Sequence, residues 1–192
     1  MTILHIDSSI TGDASASRTI TRAITGRLAQ SQPGSAILHR DLVSNPLPHL
    51  TLDAMADTAV LEEFLAANTV VIGAPMYNFT VSSQLKAWID RILIAGKTFS
   101  YTAEGPQGLA GGKRVIIASS RGGVYVPDTA QAAMDFQETY LRAVFRFIGI
   151  DTVEFVRAEG IAFGSEQRET ALKNAFESFR VVAATTAPAK AA

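Results

Sequence analysis

The sequence contains no cysteine, which excludes disulfide bonds, a thiolate nucleophile and cysteine-ligated zinc or iron–sulfur centres. An excess of charge is also lacking, because 17 basic and 18 acidic residues leave a net charge of -1. A chain so close to neutral has no basic surface of the kind that binds DNA or RNA. Neither a signal-peptide pattern nor an apolar run long enough to span a membrane, about 18 residues, occurs. We therefore expect a cytoplasmic protein that binds neither nucleic acid nor a membrane.

Histidine is scarce as well, and the three that occur, His5, His39 and His49, are far apart in the sequence. Isolated histidines of this kind are more often structural or exposed than catalytic. Because no nucleophile elbow or metal-ligand spacing is present, we predict no metal site. The side chains thus offer no acid–base, nucleophilic or metal centre of their own.

The residues that are present are typical of a globular protein, with 47% hydrophobic and 18% charged side chains. A length of 192 residues suits one domain, which we place at residues 1–184. The alanine-rich residues 185–192 are predicted to form a disordered tail.

Strand-like and helix-like patterns alternate along this domain. The predicted strands cover residues 3–6, 36–40, 70–74, 115–118 and 153–157. The first, third and fourth are continuously apolar, as expected of strands buried on both faces, whereas the second and fifth mix polar and apolar residues. The sequence therefore predicts an α/β fold with a five-stranded parallel sheet in the order 2-1-3-4-5 and helices on both faces.

Apolar residues at helical spacing predict the intervening helices. Ser15 or Ser17 is expected to cap the first helix, and Ser82 is expected to cap the third, which Gly96 would end. The other predicted helices are residues 59–67, residues 128–148, which would be the longest, and a closing helix capped by Ser165. Loops are predicted at residues 41–57 and 98–112, and the second of these lacks the residue spacing of a P-loop.

The loop after the third strand carries the clearest functional signal. Pro75 ends the apolar run, and three large apolar residues, Met76, Tyr77 and Phe79, then surround the amide of Asn78. Open parallel sheets bind ligands at the carboxyl ends of their strands. Flat apolar groups beside one amide suit a planar heteroaromatic ring, although packing of the loop onto the sheet is the alternative explanation.

Two further loops follow the first and fourth strands. The first contains Ser9, Ser15 and Ser17 at the start of a helix, where free N–H groups and the helix dipole favour a phosphate. The second contains Gly122 and Gly123, which would let backbone N–H groups approach the carbonyl edge of a ring. Helix capping alone and a plain turn are the respective alternatives.

The sequences of these loops resemble the corresponding segments of a known protein family. Other segments extend the resemblance over nearly the whole chain. The matching segments are Met76-Tyr77-Asn78-Phe79 after a proline, Gln84-Leu85-Lys86, Ala95-Gly96 to Phe99, Ser120-Arg121-Gly122-Gly123, Phe147-Ile148-Gly149-Ile150 and Ala158-Glu159-Gly160. The chain is similar in these segments to the FMN-dependent NADH-azoreductases, which are flavodoxin-like quinone reductases. The resemblance implies a flavodoxin-like three-layer sandwich that binds FMN and uses NADH as its co-substrate.

The resemblance also assigns the residues that would bind the cofactor. Ser9 and the segment Ser15, Ala16 and Ser17 would hold the phosphate of FMN, and the loop of Pro75, Met76, Tyr77, Asn78 and Phe79 would surround the ring and ribityl chain. The loop of Ser120, Arg121, Gly122 and Gly123 would meet the pyrimidine edge. The resemblance implies no catalytic side chain, because the flavin carries the chemistry while Asn78 and Gly122 tune it.

The implied reaction has two steps, in which NADH reduces the flavin and a quinone or azo compound then takes two electrons at the same place. A flavodoxin-like electron carrier and a non-enzymatic flavin-binding regulator are the alternatives, but such carriers are usually strongly acidic and this chain is nearly neutral. The link between Pro46 and the strand at Val70 is shorter than is typical of the family. The physiological acceptor, the choice between NADH and NADPH, and regulation are therefore not fixed by the sequence.

Apolar residues also exceed what one core face requires on two predicted helices. These residues are Trp88, Ile94, Phe145 and Phe147. We interpret them as surface for a second copy of the chain and predict a homodimer, with burial in the chain's own core as the alternative.

Overall fold

The computed structural model describes residues 1–180, so the predicted tail at 185–192 lies outside the described residues. The elements in chain order are β1 (Thr2–Asp7), α1 (Ala16–Ser31), β2 (Ala36–Asp41), α2 (Ala59–Ala66), β3 (Thr69–Pro75), α3 (Ser83–Ile92), β4 (Phe99–Thr102), β5 (Gly105–Gly108), β6 (Arg114–Ser120), α4 (Phe136–Phe147), β7 (Val153–Ala158) and α5 (Ser165–Ser178). Short 3₁₀ turns occur at Gly12–Ala14, Asp53–Ala56 and Ala132–Met134.

Five of these strands form one parallel sheet in the order β2-β1-β3-β6-β7. The predicted α/β fold with a five-stranded parallel sheet is confirmed, and the largely buried strands β1, β3 and β6 lie at its centre. The strand numbers differ from the predicted ones because β4 and β5, which were not predicted, precede the fourth strand of this sheet.

Helices cover both faces of the sheet because successive side chains of a buried strand point in opposite directions. In β3, Val70 and Ile72 lie on the face of the sheet that α2, α3 and α4 cover, whereas Val71 lies on the face that α1 and α5 cover. The largest fully buried apolar side chains between the sheet and α2, α3 and α4 are Phe64, Trp88 and Phe145. Burial of apolar surface on both faces stabilises the packing of the helices on the sheet, by about 25 cal/mol for each Å² buried.

The loop predicted at residues 98–112 is instead a two-stranded antiparallel hairpin formed by β4 and β5. Its end packs closely against the turn after α4, and Ala110 N–H donates to the carbonyl of Ile148 over 2.8 Å. A Cβ on Gly108 would overlap the backbone of Ile148 and Gly149. The contact between Gly108 and Ile148 joins segments that are 40 residues apart in the sequence, so no local pattern could reveal it.

Three predicted helix boundaries are also wrong. The predicted helix at 128–148 begins only at Phe136, because Asp135 accepts the N–H of Glu138 over 3.0 Å as its N-cap. The longest described helix is therefore α1, with 16 residues. Helix α3 ends at Ile92 rather than Gly96, and Ser165 is the first residue of α5 while Gly164 is its cap.

Two residues predicted to form a surface for a second copy lie inside the chain. Trp88 and Phe145 are both fully buried, in the core between the sheet and its covering helices. Ile94 and Phe147 are partly buried, and the Phe147 ring lies 4.6 Å from that of Phe99. These four residues therefore do not form an exposed apolar surface. Within residues 1–180, no helix has both the length and the apolar character needed to cross a membrane.

Candidate functional site

The three predicted loops lie at one edge of the sheet because β1, β3 and β6 are adjacent and parallel. Hydrogen bonds join them directly. Met76 N–H donates to the carbonyl of Ser120 over 2.8 Å, and the Tyr77 hydroxyl lies 3.2 Å from both the Ser9 hydroxyl and the Ile10 nitrogen. The loop after β3 is thus the link between the loop after β1 and the loop after β6.

A cavity of about 830 Å³ opens beside the loop after β3. Its lining residues are Ile10, Met76, Tyr77, Asn78, Thr80, Val81, Ser82, Ser83, Gln84, Lys86 and Tyr140. The lining includes three of the predicted site residues, Met76, Tyr77 and Asn78, but neither Ser17, in the first turn of α1, nor Gly122, in the loop after β6. Sequence reasoning did not identify Ile10, Lys86 or Tyr140 as part of this cavity. Burial and, to a smaller extent, the nearby Asp90 carboxylate together raise the pKa of the Tyr140 phenol to about 12, so this phenol keeps its proton at neutral pH.

The turn between β1 and α1 gathers hydroxyl groups at a helix start. The Ser15 hydroxyl accepts the N–H of Arg18 over 3.2 Å as the N-cap and lies 3.1 Å from the hydroxyl of Ser17. The Ser9 hydroxyl lies 3.0 Å from that of Thr11, which the sequence analysis did not identify. The first N–H groups of a helix have no intrahelical acceptor, so the start of α1 at Ala16 combines free donors with the positive end of the dipole. This donor set suits a phosphate.

Arg18 fixes the shape of that turn. Its guanidinium donates to both carboxylate oxygens of Asp41, over 2.7 and 2.8 Å, and to the carbonyl of Ser9, over 3.0 and 3.3 Å. The hydrogen bonds from Arg18 hold the pKa of Asp41 well below its ordinary value. No local pattern marked Arg18, because Arg18 lies on α1 and its partner Asp41 lies at the end of β2.

The loop after β3 has a strained backbone at its tip. Tyr77 and Thr80 exchange two backbone hydrogen bonds of 3.0 and 3.1 Å, which close a tight turn. The two residues between them, Asn78 and Phe79, have φ values of 47° and 70°. This left-handed conformation costs roughly 1–2 kcal/mol for most residues other than glycine, such as Phe79, and less for asparagine. Both side chains are exposed as a result, an amide beside an aromatic ring.

In the loop after β6, the backbone carbonyls and N–H groups have different roles. The carbonyls of Gly122 and Gly123 accept hydrogen bonds from Ala162 and Gly160, over 3.2 and 2.9 Å. Among residues 1–180 the N–H groups of the two glycines donate to no acceptor. Neither glycine has a positive φ, and a Cβ on Gly122 would meet only Ala162, at an ordinary 3.4 Å. Packing within the chain therefore does not require glycine at position 122.

The side chain of Arg121 does not line the cavity and instead lies in a group of carboxylates. Its guanidinium lies 2.5 Å from Glu138, 3.0 Å from Asp135 and 3.2 Å from Glu159, and its Nε donates to the Ser119 hydroxyl over 3.0 Å. Only 2% of the Arg121 side chain is exposed. The three acids, which sequence reasoning did not identify as partners of Arg121, thus hold the start of the glycine loop in place through this side chain.

Known proteins share both the sequence and the architecture. Residues 1–182 match the Flavodoxin_2 family, described by a flavodoxin-like fold. An FMN-dependent NADH:quinone oxidoreductase from Methylocella silvestris is 55% identical over 194 residues, which cover 91% of this chain and 95% of the relative. A protein of the same name from Xanthomonas oryzae is 50% identical over 189 residues, which cover 94% and 95%.

Solved structures agree with these relatives. The azoreductase from Bacillus anthracis strain Sterne has a TM-score of 0.85 at 27% identity and covers 92% of this chain and 95% of its own. An FMN-dependent NADH-azoreductase from Bacillus anthracis strain Ames Ancestor, solved in complex with FMN, has a TM-score of 0.81 at 26% identity and covers 93% and 97%. The chain therefore belongs to the flavodoxin-like family that contains the FMN-dependent NADH:quinone oxidoreductases and the NADH-azoreductases.

Proposed function

We propose that the protein is an FMN-dependent NADH:quinone oxidoreductase that also reduces azo compounds. The observation that carries the proposal is the hydrogen-bonded convergence of three loops, from β1, β3 and β6, around one edge of the sheet. The names of the relatives support the same activity. FMN, when bound, would supply the chemistry by taking two electrons from NADH and passing them to the quinone or azo compound.

The β1–α1 turn would hold the phosphate of FMN. The hydroxyls of Ser9, Ser15 and Ser17 and the N–H groups at Ala16 and Ser17 form the donor set that a phosphate dianion requires. The Tyr77 hydroxyl touches the same turn from the neighbouring loop. Because these donors are fixed by Arg18 and the helix cap before any ligand arrives, binding would require little reorganisation.

The other two loops would hold the ring. The exposed Asn78 amide and the side chains of Met76 and Phe79 offer one polar contact and flat apolar surface beside the cavity. The free N–H groups of Gly122 and Gly123 would donate to the carbonyl edge and stabilise negative charge there. Glycine at 122 is required by neither φ nor packing, which supports close approach of a ligand as the reason for it.

The acceptor would stack beside the ring in the space that the cavity leaves open. Ile10 lines the cavity and is 58% exposed, and Phe79 on the loop after β3 is 43% exposed. Flat apolar substrates such as quinones or azo dyes would find matching surface there. A homodimer stays part of the proposal, although Trp88 and Phe145 are buried in the core of the chain and do not form its interface. A cytoplasmic location stays a prediction.

Rapid mixing of the FMN-loaded protein with NADH under anaerobic conditions tests the function. We expect fast loss of flavin absorbance, followed by many turnovers when a quinone is added, and a slower reaction with NADPH. Slow bleaching would favour an electron carrier that depends on a protein partner. Bleaching without repeated quinone turnover would favour a regulator, and either result would contradict the proposed enzyme.

Asn78 provides a test of the ring contact. Because the variant Asn78→Gly removes the amide but tolerates the left-handed backbone, we expect it to fold normally and bind FMN about tenfold more weakly. Asn78→Ala removes the same amide and adds backbone strain of roughly 1 kcal/mol. Fluorescence titration with FMN measures both affinities. If Asn78→Gly binds FMN as tightly as the unchanged chain, the amide has no role in binding.

A further inference from the structure

We propose that His5, Asp7 and His39 form a binding site for a divalent first-row transition metal such as Zn²⁺. The His5 Nε2 and His39 Nε2 atoms lie 3.3 and 3.0 Å from the same oxygen, Oδ2 of Asp7. One ligand atom from each of the three residues lies within 4.8 Å of the others. The proposal is independent of FMN binding and goes beyond the proposed function.

The sheet register explains how residues far apart in the sequence meet. Strands β1 and β2 pair in parallel with His5 directly opposite His39. Asp7 follows His5 by two residues and therefore points to the same face of the sheet, the face that α1 covers. Two of the three histidines in the chain thus lie side by side, with ring centroids 4.5 Å apart. Their distance in the sequence, 34 residues from position 5 to position 39, gave no sign of this pairing.

The spacing of the ligand atoms fits a small cation. Zinc binds nitrogen and carboxylate oxygen at about 2.0–2.2 Å, so neighbouring ligands of a tetrahedral site are roughly 3.3 Å apart. Two of the three separations here are 3.0 and 3.3 Å. Imidazole and carboxylate ligands without thiolate suit Zn²⁺, Ni²⁺ or Cu²⁺. The His39 side chain is 48% exposed, which provides an entry path and room for water as a fourth ligand.

A buried nitrogen without a partner gives independent support. His5 is 6% exposed, and its Nε2 lies 3.3 Å from Asp7 Oδ2 without forming a well-aligned hydrogen bond to it or to any other described residue. Buried polar atoms of this kind are rare because leaving one unpaired costs about 1–3 kcal/mol. A metal at this point would give the nitrogen a ligand bond.

The surroundings of Asp7 orient it as a ligand. The Thr21 hydroxyl donates to Oδ1 over 2.9 Å and leaves Oδ2 facing the two imidazoles. Such outer hydrogen bonds are typical of metal sites, since they fix the direction of the ligating carboxylate.

The nearest cation, Arg18, reduces the affinity of the site but does not fill it. Its Nη1 lies 3.8 Å from Asp7 Oδ2, beyond hydrogen-bond range, and its N–H groups already bond Asp41 and the Ser9 carbonyl. The carboxylates of Asp7 and Asp41 carry two negative charges, and the Arg18 guanidinium beside them carries one positive charge. A divalent cation therefore enters a site of net negative charge.

Zinc titration of the tag-free, FMN-loaded chain by isothermal calorimetry tests the proposal. We expect one Zn²⁺ per chain, and we expect His39→Ala to weaken binding by at least about tenfold because a ligand is lost. His49→Ala is the matched control, since His49 is the remaining histidine of the chain and is exposed. It should bind zinc as the unchanged chain does. The absence of cysteine removes thiolate binding as a competing explanation.

A second measurement covers the case in which a variant alters the fold. Long-range ¹H–¹⁵N spectra of the unchanged chain should show the imidazole signals of His5 and His39 shifting with one equivalent of Zn²⁺ while that of His49 stays in place. Failure to bind zinc, equal binding by His39→Ala, or a shift confined to His49 would each overturn the proposal.

Discussion

Ser15→Asp is expected to lower the affinity for FMN about 100-fold while α1 stays intact. Aspartate is as good an N-cap as serine, and a negative charge at a helix start interacts favourably with the dipole, so the cap to Arg18 N–H should persist. The same charge would face the phosphate of FMN in a turn where Ser15 is 3% exposed and poorly screened by water. Titration of the apoprotein with FMN measures the loss.

Two controls separate charge from shape in this experiment. Ser15→Asn introduces a neutral side chain of nearly the same size as aspartate, and asparagine caps a helix as well as aspartate does. We therefore expect the FMN affinity of this variant to fall by less than about tenfold. Riboflavin, which has no phosphate, should bind the aspartate and asparagine variants alike. Equal losses of FMN affinity in both variants would contradict the assignment of the phosphate to the β1–α1 turn.

Arg121→Met is expected to lower the free energy of unfolding by about 3–5 kcal/mol. The guanidinium is the shared partner of Asp135, Glu138 and Glu159, and 84–91% of each of these side chains is removed from solvent. Without the guanidinium, the negative charges of the three neighbouring carboxylates would lose their buried partner. Arg142 and Arg157 also contact Glu138, but their side chains are 52% and 41% exposed, so they compensate these charges less. Urea unfolding at neutral pH measures the change.

Arg142→Met is the matched control for Arg121→Met. Both arginines contact Glu138, but the Arg142 contact is 3.4 Å long and its side chain is half exposed, so we expect a loss below about 1 kcal/mol. Similar losses in the two variants would mean that burial of Arg121 does not make it the anchor of the glycine loop. If Arg121→Met is stable enough to load with flavin, its weaker FMN binding would show that the anchor positions the Gly122 and Gly123 N–H groups.

Much of the fold followed from local patterns. Buried strands such as β3 carry continuous apolar runs, and hydroxyl caps such as Ser15 and Ser82 sit directly before the helices they start. Both features depend on residues within a few positions of one another, which is why the sequence reveals them. The apolar centre of the sheet then placed the loops after β1, β3 and β6 side by side.

By itself, the amino-acid sequence determined the parallel sheet and the three loops at its carboxyl edge, because apolar periodicity and helix caps act over short distances. Tertiary structure alone decided that Arg121 binds three carboxylates, that residues 99–108 form a hairpin, and that His5 and His39 meet at Asp7. Each of these depends on partners that chain topology brings together from distant positions. Contacts of that kind leave no periodic trace in the sequence, since any compatible residue at either position satisfies the local pattern.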